Sequence, residues 1–159
     1  MDFISAATAI SLTRCSESTM RRRIADGSVT RVLQPGVNGR SMILFDSIRS
    51  QVVLRLDDDD LDLITLADAG DAEAQTDLAM KFLSQDYAKG AIYWFELAVK
   101  QEYASAMYYL GRCYVDGTGV PKDENVGLIW ILKAAVLGHG IARAQMERAR
   151  EKLAAPATV

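Results

Sequence analysis

The chain has 159 residues, half hydrophobic and a quarter charged, which suits one ordinary domain or two small ones and excludes a disordered polymer. Residues 1–56 hold eight Arg, no Lys and four acidic side chains, whereas residues 57–159 hold ten basic and seventeen acidic ones. A basic front joined to an acidic back implies two modules with different partners.

In chain order, residues 4–13 read as a short helix burying Ala9 and Leu12. Ser16 stands at the N-cap of a second helix, residues 17–25, with Met20 and Ile24 inward and Gly27 ending the run. Ser18, Arg21 and Arg22 then point outward, with Thr19 at the boundary. Residues 29–33 and 40–45 are strand-like around the turn-rich stretch 34–39, forming a hairpin with Arg31 and Arg40 near it. Asp46 is expected to cap a third helix carrying Ile48, Val52 and Leu56 at i, i+4 and i+8. Arginines on one face supply phosphate contacts and bidentate guanine recognition, and Ser or Thr can bond backbone or base edges. The run Asp57 to Asp60 reads as a solvated connector into a helix over residues 61–70.

The back half repeats itself. Trp94 and Trp130 lie 36 residues apart, and Ala98 with Ala134, Ala106 with Ala142 and Leu110 with Met146 keep that offset. Ala72, Ala74 and Leu78 match Ala104, Ala106 and Leu110 at an offset of 32. Periods of this length signal helical hairpins, in which small residues permit close approach while Trp and Leu fill the gaps between units. Residues 116–121, Asp-Gly-Thr-Gly-Val-Pro, supply a turn, and residues 142–153 a closing cap helix. Helical spacing leaves Glu73, Asp77 and Met80 on one face, followed by Ser105, Tyr109 and Arg112, then Gln145, Arg148 and Lys152. Asp77, Tyr109, Arg112, Gln145 and Arg148 are the candidate partner-binding residues, because Tyr and Arg dominate binding hot spots.

The residues of catalysis are sparse. His139, the one histidine, lies between Gly138 and Gly140 and reads as a helix-end residue. Cys15 and Cys113 lack metal-ligand spacing, read as core thiols and fit a reducing, cytoplasmic setting. The aspartate run lacks the alternation and glycine of a calcium loop, and Gly117-Thr118-Gly119 lacks the ending of a phosphate loop. No enzyme activity, metal or cofactor is expected. No secretory signal is visible, and the most apolar stretch, 126–137, contains Lys133 and falls short of the roughly 20 residues of a membrane span.

Ser18-Thr19-Met20-Arg21-Arg22-Arg23-Ile24-Ala25-Asp26-Gly27-Ser28-Val29, with the hairpin and Asp46 behind it, resembles the excisionase and MerR-type winged helix-turn-helix. That resemblance implies a recognition helix in the major groove and a wing on the backbone, with Ser18, Thr19, Arg21, Arg22, Arg31 and Arg40 as the DNA-contacting set. Arg14 and Glu17 depart from it, standing where the family often has glycine and a basic residue. Ala104-x-Ala106, Leu110-Gly111-x-x-Tyr114, Gly117-x-Gly119-Val120, Asp123, Trp130, Lys133-Ala134-Ala135 and Gly138-His139 resemble the Sel-one-like repeats, relatives of tetratricopeptide repeats. These imply a scaffold whose concave face holds a protein or peptide.

The expected architecture is mostly α. A winged helix-turn-helix with a β-hairpin wing spans 1–56, an acidic connector and first repeat-like helix 57–70, a short α/α solenoid 71–153 and a tail 154–159. The leading expectation is a regulator that contacts double-stranded DNA through its front and a protein partner, or a second copy as a homodimer, through its repeats, with no membrane. The alternatives are a protein–protein adaptor that touches no nucleic acid, or a prophage-type excision factor. One continuous positive face would favour DNA, and arginines paired with Asp or Glu the adaptor.

Overall fold

The fold was obtained as a computed structural model that describes residues 2–33 and 41–154. The turn-rich stretch 34–39 and Arg40, the expected wing tip, lie outside the described residues, as does most of the tail.

The chain opens with a strand, β1 (Phe3–Ser5), that the sequence reading had merged into the first helix. Ile4 pairs with Ile43 on β3 (Ser41–Leu44), and β2 (Arg31–Leu33) pairs with the other edge of β3, giving an antiparallel sheet of order β1-β3-β2. With its first residues taken into the sheet, α1 starts at Ala6 and ends at Thr13, and Ser5 becomes its N-cap. A turn through Arg14, in the left-handed region, leads to α2 (Glu17–Ala25). Ser16 accepts the Thr19 backbone N–H there, as its position before the helix predicts.

The third helix of the front module does not form. Two short 3-10 turns, Phe45–Ser47 and Arg49–Gln51, replace it, and Asp46 pairs with Arg49 instead of capping. β-Branched Val52 and Val53 disfavour helix, and the extended chain gains bonds elsewhere. The Val53 N–H donates to the Leu12 carbonyl at 3.0 Å. The Arg55 N–H donates to the Gln85 side-chain oxygen at 2.7 Å, and the Gln85 amide returns a bond to the Arg55 carbonyl at 3.1 Å. The observed front is therefore a helix pair on a three-stranded sheet.

Helices α3 (Asp60–Ala69), α4 (Ala72–Ser84), α5 (Ala88–Val99), α6 (Ala104–Asp116), α7 (Glu124–Val136) and α8 (Gly140–Ala154) complete the chain. Helices α4 and α5 form one antiparallel hairpin and α6 and α7 the next, with Asp71 and Asp123 capping α4 and α7 through the Ala74 and Val126 N–H groups. In the second hairpin the backbones approach so closely that a Cβ on Gly111 would lie 2.8 Å from the Gly127 carbonyl oxygen. Ala106 and Leu110 are buried on the expected face, and Trp94 is 1% exposed. Trp130 departs from its expected place in the core: it is half-buried, with Lys133 Nζ 4.5 Å above its ring.

The front and the repeats share one continuous core, running from Ile4, Leu12 and Ile43 to Phe95, Leu110 and Cys113. The Ser5 backbone N–H donates to the Asp68 carboxylate at 2.8 Å, and the Ser5 and Thr8 hydroxyls donate to its other oxygen. The acidic run is likewise less solvated than expected. Asp60 is buried and meets Lys81 Nζ at 2.6 Å, with Asp57 at 3.2 Å. These bonds, Asp60's first, raise the Lys81 ammonium above its usual pKa.

Asp68→Ala strands donors from both Ser5 and Thr8, and should cost about 2–3 kcal/mol in a urea melt; an unchanged midpoint would show that this junction carries no stability. Trp94→Ala should cost about 3–5 kcal/mol, and Trp130→Ala clearly less by the same measurement.

Candidate functional site

Residues expected to face DNA occupy α2 and β2. Ser18 is exposed and its hydroxyl lies 2.9 Å from Ser16 Oγ; the Thr19 hydroxyl, also 2.9 Å from Ser16 Oγ, is half-buried. Both hydroxyls thus bond to Ser16, the residue that caps α2. Arg21 is exposed and paired with Glu17, one turn earlier. Arg22 and Arg31 are exposed, and Arg40 lies outside the described residues. The remaining described arginines of the front are dispersed. Arg14 stacks over Tyr87 at 5.2 Å, Arg23 bonds Gln51, and Arg49 stacks over Phe45 while pairing with Asp46.

Arg21 and Arg31 both line a cleft of about 540 Å³, together with Glu17. Ala7, Ile10 and Ile24 line its apolar wall, and Tyr93, from α5, belongs to the repeat half. A second cleft of about 320 Å³ shares Ala7, Ile10 and Tyr93 and has Arg14 and Lys89 at its edge. Burial, then the Asp68 charge, pushes the Tyr93 phenol above its usual pKa, so its hydroxyl stays neutral at physiological pH. Sequence reasoning missed Tyr93 and Lys89. The available signal was helical phase: with Trp94 turned inward, Tyr93 sits about 100° round the helix, facing the front module.

The face expected on the repeats is distributed over three helices. Asp77 is exposed on α4, and Arg148 is exposed on α8. Tyr109 is half-buried, its ring stacked on Phe95 with centroids 6.0 Å apart, so packing holds it more than the sequence reading expected. Arg112 is exposed and pairs with Asp116 at 3.3 Å, while the Gln145 amide donates to the Tyr108 hydroxyl at 3.5 Å. Tyr108 itself is buried and stacks on His139 at 4.5 Å between centroids. The structure therefore groups Arg112, Gln145, Tyr108 and His139, where sequence offered Tyr109, Arg112 and Gln145. Burial pushes the Cys113 thiol up to about 11, as a core thiol requires.

Residues 72–103 and 104–139 each match the family model of the Sel1 repeat, which places two such repeats in the C-terminal region. A solved structure described as a Sel1 repeat protein from Oxalobacter formigenes is similar, with 33% identity over 55% of this chain and a TM-score of 0.49; the chain spans 26% of that structure. Comparison with curated proteins gave no match.

His139 generates a pH prediction. Its Nδ1 accepts the Ala142 N–H at 3.3 Å, and burial lowers its pKa below the usual 6.5. A folded-state pKa below the unfolded one gives stability that is complete above about 6.5 and lost as pH falls through it toward the folded value. Thermal melts between about pH 7.5 and 5.5 should show the midpoint falling, and His139→Gln, which cannot titrate there, should flatten that dependence.

Proposed function

We propose that this chain is a protein–protein adaptor that grips a partner through the Sel1 repeats and through the cleft where the repeats meet the N-terminal helix pair. The observation that carries this reading is the setting of Arg31. With the paired Arg21 and Glu17 it borders a largely apolar cleft with a tyrosine in its wall, the composition of a site that anchors a side chain and orients it with charge. A peptide with an aliphatic or aromatic anchor beside a carboxylate complements that rim. The exposed Arg112 and Arg148 on α6 and α8 offer a further contact surface on the repeats.

The regulator reading asks more of the same residues. Duplex binding draws its affinity from many phosphate contacts and loses it steeply with salt, whereas here Arg21 already holds Glu17 and Arg49 holds Asp46. The adaptor reading needs one or two charges at an apolar site.

The test uses the full chain as bait in a lysate, with bound proteins identified by mass spectrometry and the interaction repeated with the purified partner. Arg31→Glu and Arg112→Glu, both exposed, should each weaken that interaction at least tenfold while moving the melting midpoint little. In parallel, fluorescence anisotropy against pooled genomic duplexes at two salt concentrations should show no sequence preference. Preferential duplex binding that Arg22→Ala relaxes at one base position would replace the adaptor with the DNA-binding regulator.

A further inference from the structure

Helix α7 is apolar on both sides. Gly127, Ile131, Ala134 and Ala135 turn into the second hairpin and are buried. Leu128, Ile129, Leu132 and Val136 occupy the opposite face, with exposures between 51 and 74%, and Leu137 and Ile141 extend it past the helix end. A helix that is apolar all round is ordinarily buried all round.

The preceding hairpin shows that the repeat does not require this. At the 36-residue offset, Leu132, Val136 and Leu137 correspond to Glu96, Lys100 and Gln101, which are polar and exposed. The backbone position is equivalent and the choice of side chain opposite. Leu128 corresponds to Ile92, which is buried and lies beneath the loop of the next hairpin at Gly119. Helix α8 runs unbroken from Gly140 to Ala154 and brings no such loop back over α7. A cleft of about 500 Å³ at the edge of the face is lined by Val99, Met107 and Trp130 together with Leu132 and Val136.

We infer that the outer face of α7 pairs with α7 of a second copy of this chain, antiparallel about a two-fold axis near Leu132. This does not rest on the adaptor reading. Size argues for it: six half-exposed aliphatic side chains present on the order of 500 Å² of contiguous apolar surface, the upper range for a monomer, and a standard interface hides roughly 800 Å² per partner with its core mostly apolar. Symmetry argues for it as well. Leu128 and Val136 stand one helical step either side of Leu132, so the stripe is its own complement under a two-fold rotation.

Sedimentation equilibrium of the full chain at micromolar concentrations should return twice the 17.4 kDa chain mass. The double variant Leu132→Glu with Val136→Lys installs the residues that the first hairpin carries at the same positions. It should sediment as a monomer, weaken self-association at least a hundredfold, and keep the far-ultraviolet circular dichroism of the wild type. Leu132→Cys, close to the axis, should form a covalent dimer on mild oxidation, while Lys89→Cys on another face should not. A wild-type monomer throughout the range would overturn the inference, as would a dimer that the double variant leaves intact. A monomeric wild type that floats with phosphatidylcholine–phosphatidylserine vesicles would assign the face to a lipid surface instead.

Discussion

The arrangement of the molecule turns on one carboxylate. Asp68, near the end of α3, accepts bonds from the backbone and hydroxyl of Ser5 and from the hydroxyl of Thr8. Ser5 both ends β1 and caps α1, so a single side chain from the repeat half fixes the point where sheet and first helix meet. Removing a carboxylate from water is costly unless its oxygens are satisfied, and here donors reach both of them. With α3 held there, α5 lies along α1, which brings Tyr93 to Ala7 and Ile10 and creates the clefts at the seam. The Arg55–Gln85 bond pair and the Lys81–Asp60 ion pair secure the same junction further along the connector. Tyr93 is the repeat half's contribution to the larger cleft, whose other lining residues come from the front.

A second constraint acts within the repeats. Gly111 and Gly127 let α6 and α7 cross with almost no side chain between them, while the first hairpin has Ala79 and Ala91 at the equivalent positions. Ile131 and Ala134 are buried in that hairpin, as Phe95 and Ala98 are in the first. Trp94, with the second hairpin packed after it, is enclosed; Trp130, with α8 the helix that follows among the described residues, is not. Equivalent residues thus differ in burial because of what comes after them, a property of the array instead of the unit.

Much of this was legible in the sequence, and the part that was not has a consistent physical origin. Ser16 announces a helix start because capping is a bond between residues three apart. The Ala, Leu and Trp spacing announces the hairpins because small and large residues must alternate where helices pack. What failed depends on partners distant in the chain. Strand β1 is three residues long and exists because β3 pairs with it some forty residues later. The helix expected after Asp46 has acceptable apolar spacing, yet it loses to backbone bonds with Leu12 and Gln85, neither of which is visible locally. Asp60 looked like part of a solvated run until Lys81 appeared beside it. Helical phase offered Tyr109 and Arg112 as partner-binding candidates, but the Phe95 ring that holds Tyr109 and the place of Tyr93 at the cleft required the packing of one helix on another.

Charge placement decides how the basic front is best understood. Eight arginines in the first 56 residues read, as a sum, like a polyanion surface. Placed in the fold, Arg21 and Arg49 are neutralised by carboxylates on their own turns, and Arg14 and Arg23 spend their guanidiniums on Tyr87 and Gln51. Among the described residues, Arg14, Arg22, Arg23, Arg31 and Arg55 pair with no carboxylate, and two of them are held against Tyr87 and Gln51. A typical duplex-binding protein neutralises about six to ten phosphates, a number that these five cations fall short of. Beside an apolar wall the same charges count differently: near a low-dielectric surface one guanidinium facing one carboxylate is worth several times its value in open water. Arg31, at the rim of the cleft with Ile24 and Tyr93, is in that position. The front module's positive charge therefore matters less as a total than as the few places where it borders a surface that a peptide side chain can enter.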